Sequence, residues 1–441
     1  MSLVEPLIPG LLAFTGLVLI VMFGIPIAWS LMIVASIAMF TVSGPDMVFG
    51  QLSSIAFGVG TSYTLAVLPL FILMGYFAGE AGVCEDLLGF ARGWFGHVRG
   101  GLLVATTVST GLFGACSGST AGTSALFTRL VLPEMVALKY SKGVSAGCIA
   151  AGGTISALIP PSVAMAIYCM SADASLGRVM MAGILPGILT IVLYCIAILI
   201  LIYYKPQITP ADRDVFSWKR ALVASKNTWS MLMLFFLLMG GIFLGWFTST
   251  AAASVGAIGA LLLALGRRKL SPKGFRQALF EAAVTSSSIF LIMIFGNLLG
   301  RFLALSGFMN GLQGVVNVLQ PPQFMVLIGI VCMYLVFGCF LDGPSLIVVT
   351  TPFVVPLMTA MGYSVIFIGI IIVVLVELAV MTPPVGMNVF VVKAALPPGI
   401  DVPLWDIFKG IFPFVAANFV VLILLFSFPS IALWLPSMMI H

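Results

Sequence analysis

Long apolar runs alternate with short polar breaks along the whole chain. Runs at about 8–24 and 26–43 predict two helices joined by a tight turn at Gly24-Ile25-Pro26, and a third, at about 64–79, follows a polar connection. The stretch 84–98 is too short and too charged to span a bilayer. Its leucine and aromatic residues beside Asp86, Arg92 and His97 predict an interfacial amphipathic helix. Residues 101–137 form an apolar stretch interrupted by small residues at 115–124, with limbs of about 15 residues where roughly 20 are needed to cross. A re-entrant hairpin that enters and leaves on one side fits that pattern. A run at 143–170 is broken at Pro160-Pro161, because a Pro-Pro step removes two backbone donors and bars the preceding residue from the α region. A long helix at 178–204 follows, then the most charged stretch of the chain, 205–226, with Asp212, Arg213, Asp214, Lys219 and Arg220, expected to be an aqueous linker.

The second half repeats this order. Runs near 229–247 and 249–266 precede a basic loop, a run at 284–301 and a non-spanning segment at 303–319. A second hairpin, 322–361, has its tip near Leu341 to Ser345; a second broken segment, 363–393, contains Pro383-Pro384; a final helix begins at about 411. Landmarks keep a nearly constant offset: Gly75 and Gly79 match Gly296 and Gly300 at 221, Pro160 matches Pro383 at 223, and Gly183 and Pro186 match Gly410 and Pro413 at 227. The regularity predicts an internal duplication, 1–204 and 229–441, joined by a linker at 205–228. Each half crosses five times, so the second is expected upside down relative to the first.

With 61% hydrophobic and 7% charged residues and a mean hydropathy of +1.22, the chain predicts an all-α polytopic membrane protein. No cleavable leader pattern precedes the first run, so that span is expected to be retained. The seven cysteines lie scattered through apolar sequence and predict packing, with neither a disulfide framework nor a zinc site. Of 19 Lys and Arg residues, all but Arg178 and Arg301 fall on one side of the predicted topology. The positive-inside rule makes that side cytoplasmic and both termini periplasmic. Hairpin one then opens from the cytoplasm and hairpin two from the outside, with their tips near the midplane.

At each tip, helix ends and small hydroxyl residues lie inside the membrane. Helix N-termini favour anions, whereas C-terminal carbonyls and hydroxyl oxygens favour a hard cation such as Na⁺. Ser117, Gly118, Ser119 and Thr123 of tip one are expected to face the break at Gly153 to Ser162. Asp342, Gly343 and Ser345 of tip two are expected to face the break at Thr382 to Asn388. The pattern predicts two related Na⁺ sites, drawn from Ser117, Gly118, Ser119, Gly153, Pro160, Asp342, Gly343, Ser345, Thr382 and Gly386. Between them a substrate site would draw on Ser119, Thr123, Pro161, Ser162, Pro384 and Asn388. Singly, such hydroxyls more commonly bond backbone carbonyls; the doubled constellation carries the functional reading. Asp342 reads equally as a ligand and as a helix cap. Glu377 could hold the broken helix or carry a proton, Glu134 reads as structural, and His97 and His441 lie outside the inferred spans.

Several stretches resemble the large membrane subunit of tripartite ATP-independent periplasmic (TRAP) transporters. They are Ser117-Gly118-Ser119, Gly153-Thr154 leading into Ile159-Pro160-Pro161-Ser162, the stretch 182–187, Phe340-Leu341-Asp342, and Glu377 through Thr382-Pro383-Pro384-Val385-Gly386-Met387-Asn388. The resemblance covers nearly the whole chain. It implies sodium-driven import of a small organic anion across the bacterial inner membrane by an elevator-like movement. It also implies a small four-helix membrane subunit, expected here as another chain, and a periplasmic substrate-binding protein; nucleic acid is not among the expected partners. Thr123 stands where some carriers of acidic sugars have aspartate, and no basic residue follows Leu305-Ser306 closely, which speaks against sialic acid. Alternatives are a stand-alone sodium/dicarboxylate carrier of the related ion-transporter fold, an ion channel, and an intramembrane enzyme. The last lacks a membrane histidine, an HExxH motif and paired catalytic aspartates.

Overall fold

A computed structural model gives the architecture, and residues 5–210, 217–319 and 321–439 are described. Asp212, Arg213, Asp214 and His441 lie outside the described residues. Every regular element among the described residues is helical. The first half runs α1 (Ile8–Met22), α2 (Ile27–Thr61), α3 (Val67–Glu80) and α4 (Val83–Phe95), then the hairpin α5 (Gly101–Ser117) and α6 (Thr120–Ala137). The broken pair α7 (Lys142–Thr154) and α8 (Val163–Ala172) and the long α9 (Leu176–Tyr204) complete it. The second half runs α10 (Trp218–Phe243), α11 (Ser249–Gly266), α12 (Pro272–Leu305) and α13 (Phe308–Leu319), then the hairpin α14 (Gln323–Phe337) and α15 (Gly343–Ala360). The broken pair α16 (Val365–Met381) and α17 (Met387–Ala394) leads to α18 (Leu404–Ser427) and α19 (Ser430–Ser437). Eight of the described helices are long and apolar enough to cross a membrane.

The helices fall into two groups. In the inner group, both broken helices pack with hairpin one, hairpin two, α9 and α18. In the outer group, α1, α2, α3, α4, α10, α11 and α12 pack on one another. The centre is α16, every residue of which from Phe367 to Met381 is buried. A helix that is apolar on all sides must be surrounded on all sides, and α9, α14, α15 and α18 surround this one. Glycines let the inner helices approach closely. Gly143 and Gly147, four apart on α7, meet Gly410 on α18, where a Cβ on Gly147 would stand 2.6 Å from the Ile411 nitrogen.

Four sequence expectations change. The polar connection after 43 is helical, because Val48, Leu52, Ile55 and Val59 recur at helical spacing and Val48, Ile55 and Val59 are buried, with α2 lying along α12. The kink between its two arms is at Gly44, whose φ of 76° suits glycine, followed by Pro45. Helix α10 begins at Trp218, inside the expected linker, because its first turns pack on α4: Trp94 Nε1 donates to Ser225 Oγ at 3.1 Å and Thr228 Oγ1 donates to the Asp86 carbonyl at 3.2 Å. The amphipathic segment α4 therefore buries Val83, Cys84, Leu87, Leu88 and Ala91 within the chain, against α5 and α10. The last long helix begins at Leu404 and is followed by the short α19.

One end of the molecule gathers the basic residues. Arg92 pairs with Glu134 at 2.5 Å, and Arg267 pairs with Asp86 and donates to Ser230 Oγ at 2.8 Å. Arg99 donates to the Pro206 carbonyl at 3.0 Å, and Lys393 pairs with Asp401. The Lys393 hydrogen bond and charge hold the exposed Asp401 carboxyl below the usual carboxylate range. Such half-exposed pairs contribute only about 0–1 kcal/mol each, so they fasten loops at this end more than they stabilise the bundle.

Candidate functional site

Tip one is a two-residue turn. Helix α5 ends at Ser117, Gly118 takes the left-handed region at φ 55°, and Ser119 caps α6 by accepting the Gly122 amide at 3.2 Å. Ser117 Oγ and Thr123 Oγ1 share a 2.7 Å hydrogen bond across the turn, and both side chains are buried. The turn presses on the first break. A Cβ on Gly118 would stand 2.8 Å from the Pro161 carbonyl and 3.2 Å from the Val163 nitrogen. Only glycine suits both that φ and that approach.

The first break is narrower than the sequence suggests. Gly153 belongs to α7, a short 3-10 turn spans Ile155–Ala157, and the extended chain ends at Ser162, which caps α8 by accepting the Met165 amide at 3.3 Å. Local bonds occupy its hydroxyls: Ser156 donates to the Gly153 carbonyl at 2.6 Å and Ser162 to the Ala157 carbonyl at 2.5 Å. Pro160 and Pro161 are buried here. At the second break Pro383 and Pro384 are exposed, and Thr382 donates to the Ala379 carbonyl at 3.2 Å. Gly386, at φ 58°, then starts α17. Both Pro-Pro bonds are cis.

Tip two spans Gly338 to Asp342. Asp342 Oδ1 accepts the Ser345 amide at 3.1 Å, so the carboxyl caps α15. A Cβ on Gly343 would stand 3.3 Å from Val376 Cγ1, and one on Gly338 3.1 Å from Ala379 Cα, so this tip rests on the last turns of α16. Ser345 Oγ is buried with no hydrogen-bond partner.

Asn388 departs from its expected place. It lies away from tip two and reaches into hairpin one, donating from Nδ2 to Ser124 Oγ at 2.9 Å and to the Ala150 carbonyl at 2.5 Å. The whole arm follows, because α17 packs on α6 and α7 while α8 packs on α15. Each broken helix thus sends its second arm to the other half's hairpin. Tip one, the first break and the start of α17 converge; Asp342, Gly343 and Ser345 form a separate cluster on α16. Sequence reasoning missed Ser124, Ser156 and Asn418. A lone Asn418 in the apolar run of α18 was the available signal.

The assembled groups suit charge binding without fixed charge. Amide ends of α6, α8 and α17 offer partial positive charge, carbonyl ends of α5 and α7 partial negative charge, and each hydroxyl keeps lone pairs beyond those its hydrogen bonds use. No group of three or more His, Cys, Asp or Glu residues that could hold a metal occurs among the described residues. The family model for the tripartite ATP-independent periplasmic transporter, DctM component, matches residues 14–431. The chain belongs to this DctM family. Relatives include the C4-dicarboxylate TRAP transporter large permease protein DctM of Vibrio cholerae, 30% identical over 94% of this chain and 95% of that one. The sialic acid large permease SiaM of the same organism is 27% identical over 94% and 95%. The isethionate permease DctMQ of Oleidesulfovibrio alaskensis is 30% identical, over 98% of this chain and 66% of that one. Among solved structures, the Alcanivorax borkumensis YdaH transporter shares the fold at a TM-score of 0.60 and 14% identity, covering 90% and 91% of the two chains. This DctM component is accordingly a multi-pass inner-membrane protein and a secondary transporter of organic acids, and its relatives are named as permeases, not enzymes.

Proposed function

We propose that the chain is the large membrane subunit of a sodium-driven importer of a small organic anion. A periplasmic binding protein delivers the anion, and the chain works beside a small four-helix membrane subunit. The observation that carries this reading is the convergence of tip one, the first break and α17. Na⁺ sits among Ser117, Ser119, Thr123 and the carbonyls ending α5, with a second ion at tip two near Ser345 and Thr382. The anion lies beside Pro384 and Ser119, the exposed and half-exposed members of the predicted substrate set, close to the amide ends of α6 and α17. That relatives are named for C4-dicarboxylate, sialic acid and isethionate supports an anionic substrate class.

Movement follows from the grouping. The inner helices carry both tips and both breaks, and the outer helices touch them mainly where α3 and α4 meet α5 and where α12 meets α15. The inner group slides as a unit against the outer one, turning the sites from one face of the membrane to the other. The test is uptake into proteoliposomes holding this chain and its small partner, with an imposed sodium gradient, with and without the binding protein. Replacing external Na⁺ by K⁺ is expected to cut initial uptake by tenfold or more, on the order of 1.4 kcal/mol of coupling. Omitting the binding protein abolishes uptake. Uptake indifferent to the binding protein would instead identify a stand-alone carrier, and uptake indifferent to sodium would end the coupling assignment.

A further inference from the structure

One acidic side chain has no role in the tips. Glu377 is 1% exposed on α16, and neither carboxyl oxygen has a hydrogen-bond partner. Asn418 on α18 lies beside it, fully buried, and neither its Oδ1 nor its Nδ2 has a partner, the two side chains falling just short of hydrogen-bond geometry. Four unpaired polar atoms therefore meet where two helices touch. The other side chains around them offer little. Tyr194 on α9 stands near the carboxyl, with its hydroxyl 3.6 Å from Met381 Sδ, and Thr154 on α7 approaches the same sulfur at 3.7 Å. Among the described residues no cation faces the carboxyl. Of the titratable groups on neighbouring elements, Tyr168 donates to the Val365 carbonyl, Tyr334 pairs with Thr350, Cys148 with Thr107, and Lys393 with Asp401; Asp342 caps α15.

A carboxylate buried this way, without a donor or counter-charge, costs far more than its neighbours return. A neutral acid does not. Its O–H donates to Asn418 Oδ1 while Asn418 Nδ2 donates back to the acid carbonyl, and a small side-chain rotation closes both bonds. The pairing uses all four orphan atoms at once, whereas an ionised Glu377 leaves Asn418 Oδ1 facing negative charge. We infer that Glu377 and Asn418 form a proton-binding site in the core of the inner helix group, in which the proton latches α16 to α18. The proton moves between the carboxyl and water, with no other bond made or broken. Loss of the proton separates α16, which carries the exposed break, from α18, so uptake falls as the site empties at alkaline pH.

Infrared difference spectroscopy of the full chain in nanodiscs, with its small partner, reads this directly. At neutral pH the wild type is expected to show a protonated-carboxyl C=O band that shifts in D₂O and disappears in Glu377→Gln. The Gln variant keeps the pairing through its amide, so its uptake persists and loses the alkaline decline. Asn418→Leu keeps the acid but removes its partner, and its band moves to higher frequency. If the wild type and Glu377→Gln give the same spectrum in this region, Glu377 is ionised and the proposal fails. It also fails if the band is present but unmoved in Asn418→Leu, or if the variant's pH profile of uptake matches the wild type. The band is read without transport, so this outcome is separable from a failure of sodium coupling.

Discussion

At the residue scale, the polar side chains of the inner group satisfy one another before they meet any ligand, and Asn388 shows what that costs to disturb. Its Nδ2 bridges Ser124 of hairpin one and the Ala150 carbonyl of α7, from the first turn of a helix that belongs to the other half. Lipid offers no substitute donor. Asn388→Ala is expected to lower stability by about 1–3 kcal/mol, since it leaves the buried Ser124 hydroxyl unpaired and removes the second bond to the Ala150 carbonyl, while Ser124→Ala costs about 0.5–1.5 kcal/mol. Thermal unfolding of the two single variants and the double variant forms a cycle. A coupling energy above about 0.5 kcal/mol is expected, because the two residues share one bond; additive losses would mean that the bond contributes nothing. That Asn388 is a polar residue at membrane depth was legible in the sequence. Its partner was not, because Ser124 lies 264 positions away and a serine in an apolar run carries no address. Asp342 shows the reverse case: a helix cap is one of the two readings that the sequence offers for it, and the 3.1 Å bond from the Ser345 amide is that cap.

At the element scale, the helices breaking at Pro-Pro and the turns that divide the two hairpins were legible because both depend on local chemistry. The exchange of second arms between halves was not. Periodicity says which face of a helix is apolar, and α8 and α16 are apolar on nearly every face, so no stripe names the neighbour. The constant-offset glycines carried more than repeat symmetry. A Cβ on Gly75 of α3 would stand 2.7 Å from Ser117 Cα, and one on its match Gly296 of α12 would run into Val348 Cγ1 on α15, so in each half this matched glycine sits where an outer helix crosses a hairpin. These crossings are the surfaces along which an inner group would slide. Gly75→Val pushes a branched side chain against the backbone of tip one, and overpacking of this kind costs about 1–3 kcal/mol. Because that cost falls on the arrangement in which the tip is docked, uptake is expected to drop by roughly 5- to 150-fold, with substrate binding less affected. The comparison of initial uptake with equilibrium binding checks it; equal losses in both would place the effect on folding instead of movement.

At the scale of the whole molecule, sidedness follows from where charge is tolerated. The ion pairs of Arg92 with Glu134 and Arg267 with Asp86, the bond from Arg99 to Pro206, and the Lys393 and Asp401 pair all fasten one end of the bundle. Arg301, bonded to Gln51, sits at the far end of the α12 helix that starts among Lys269 and Lys273. The contacts were not legible in advance, but the charge count that they gather was, because translocation penalises Lys and Arg loops whatever the helices do afterwards. If the rule holds, the basic end faces the cytoplasm. The check uses a background in which Cys195, Cys332 and Cys339, the native cysteines not fully buried, are changed to alanine. Tyr63→Cys, at the exposed start of the segment leading into α3, and Lys219→Cys, on the exposed first turn of α10, then report opposite ends. In intact cells made permeable only at the outer membrane, an impermeant thiol reagent is expected to label the first and spare the second until the inner membrane is opened. Labelling of Lys219→Cys alone would turn the molecule over, and with it the direction from which each hairpin opens. Labelling of both from outside would break the five-crossing count of the first half, on which the inverted relation between the halves depends.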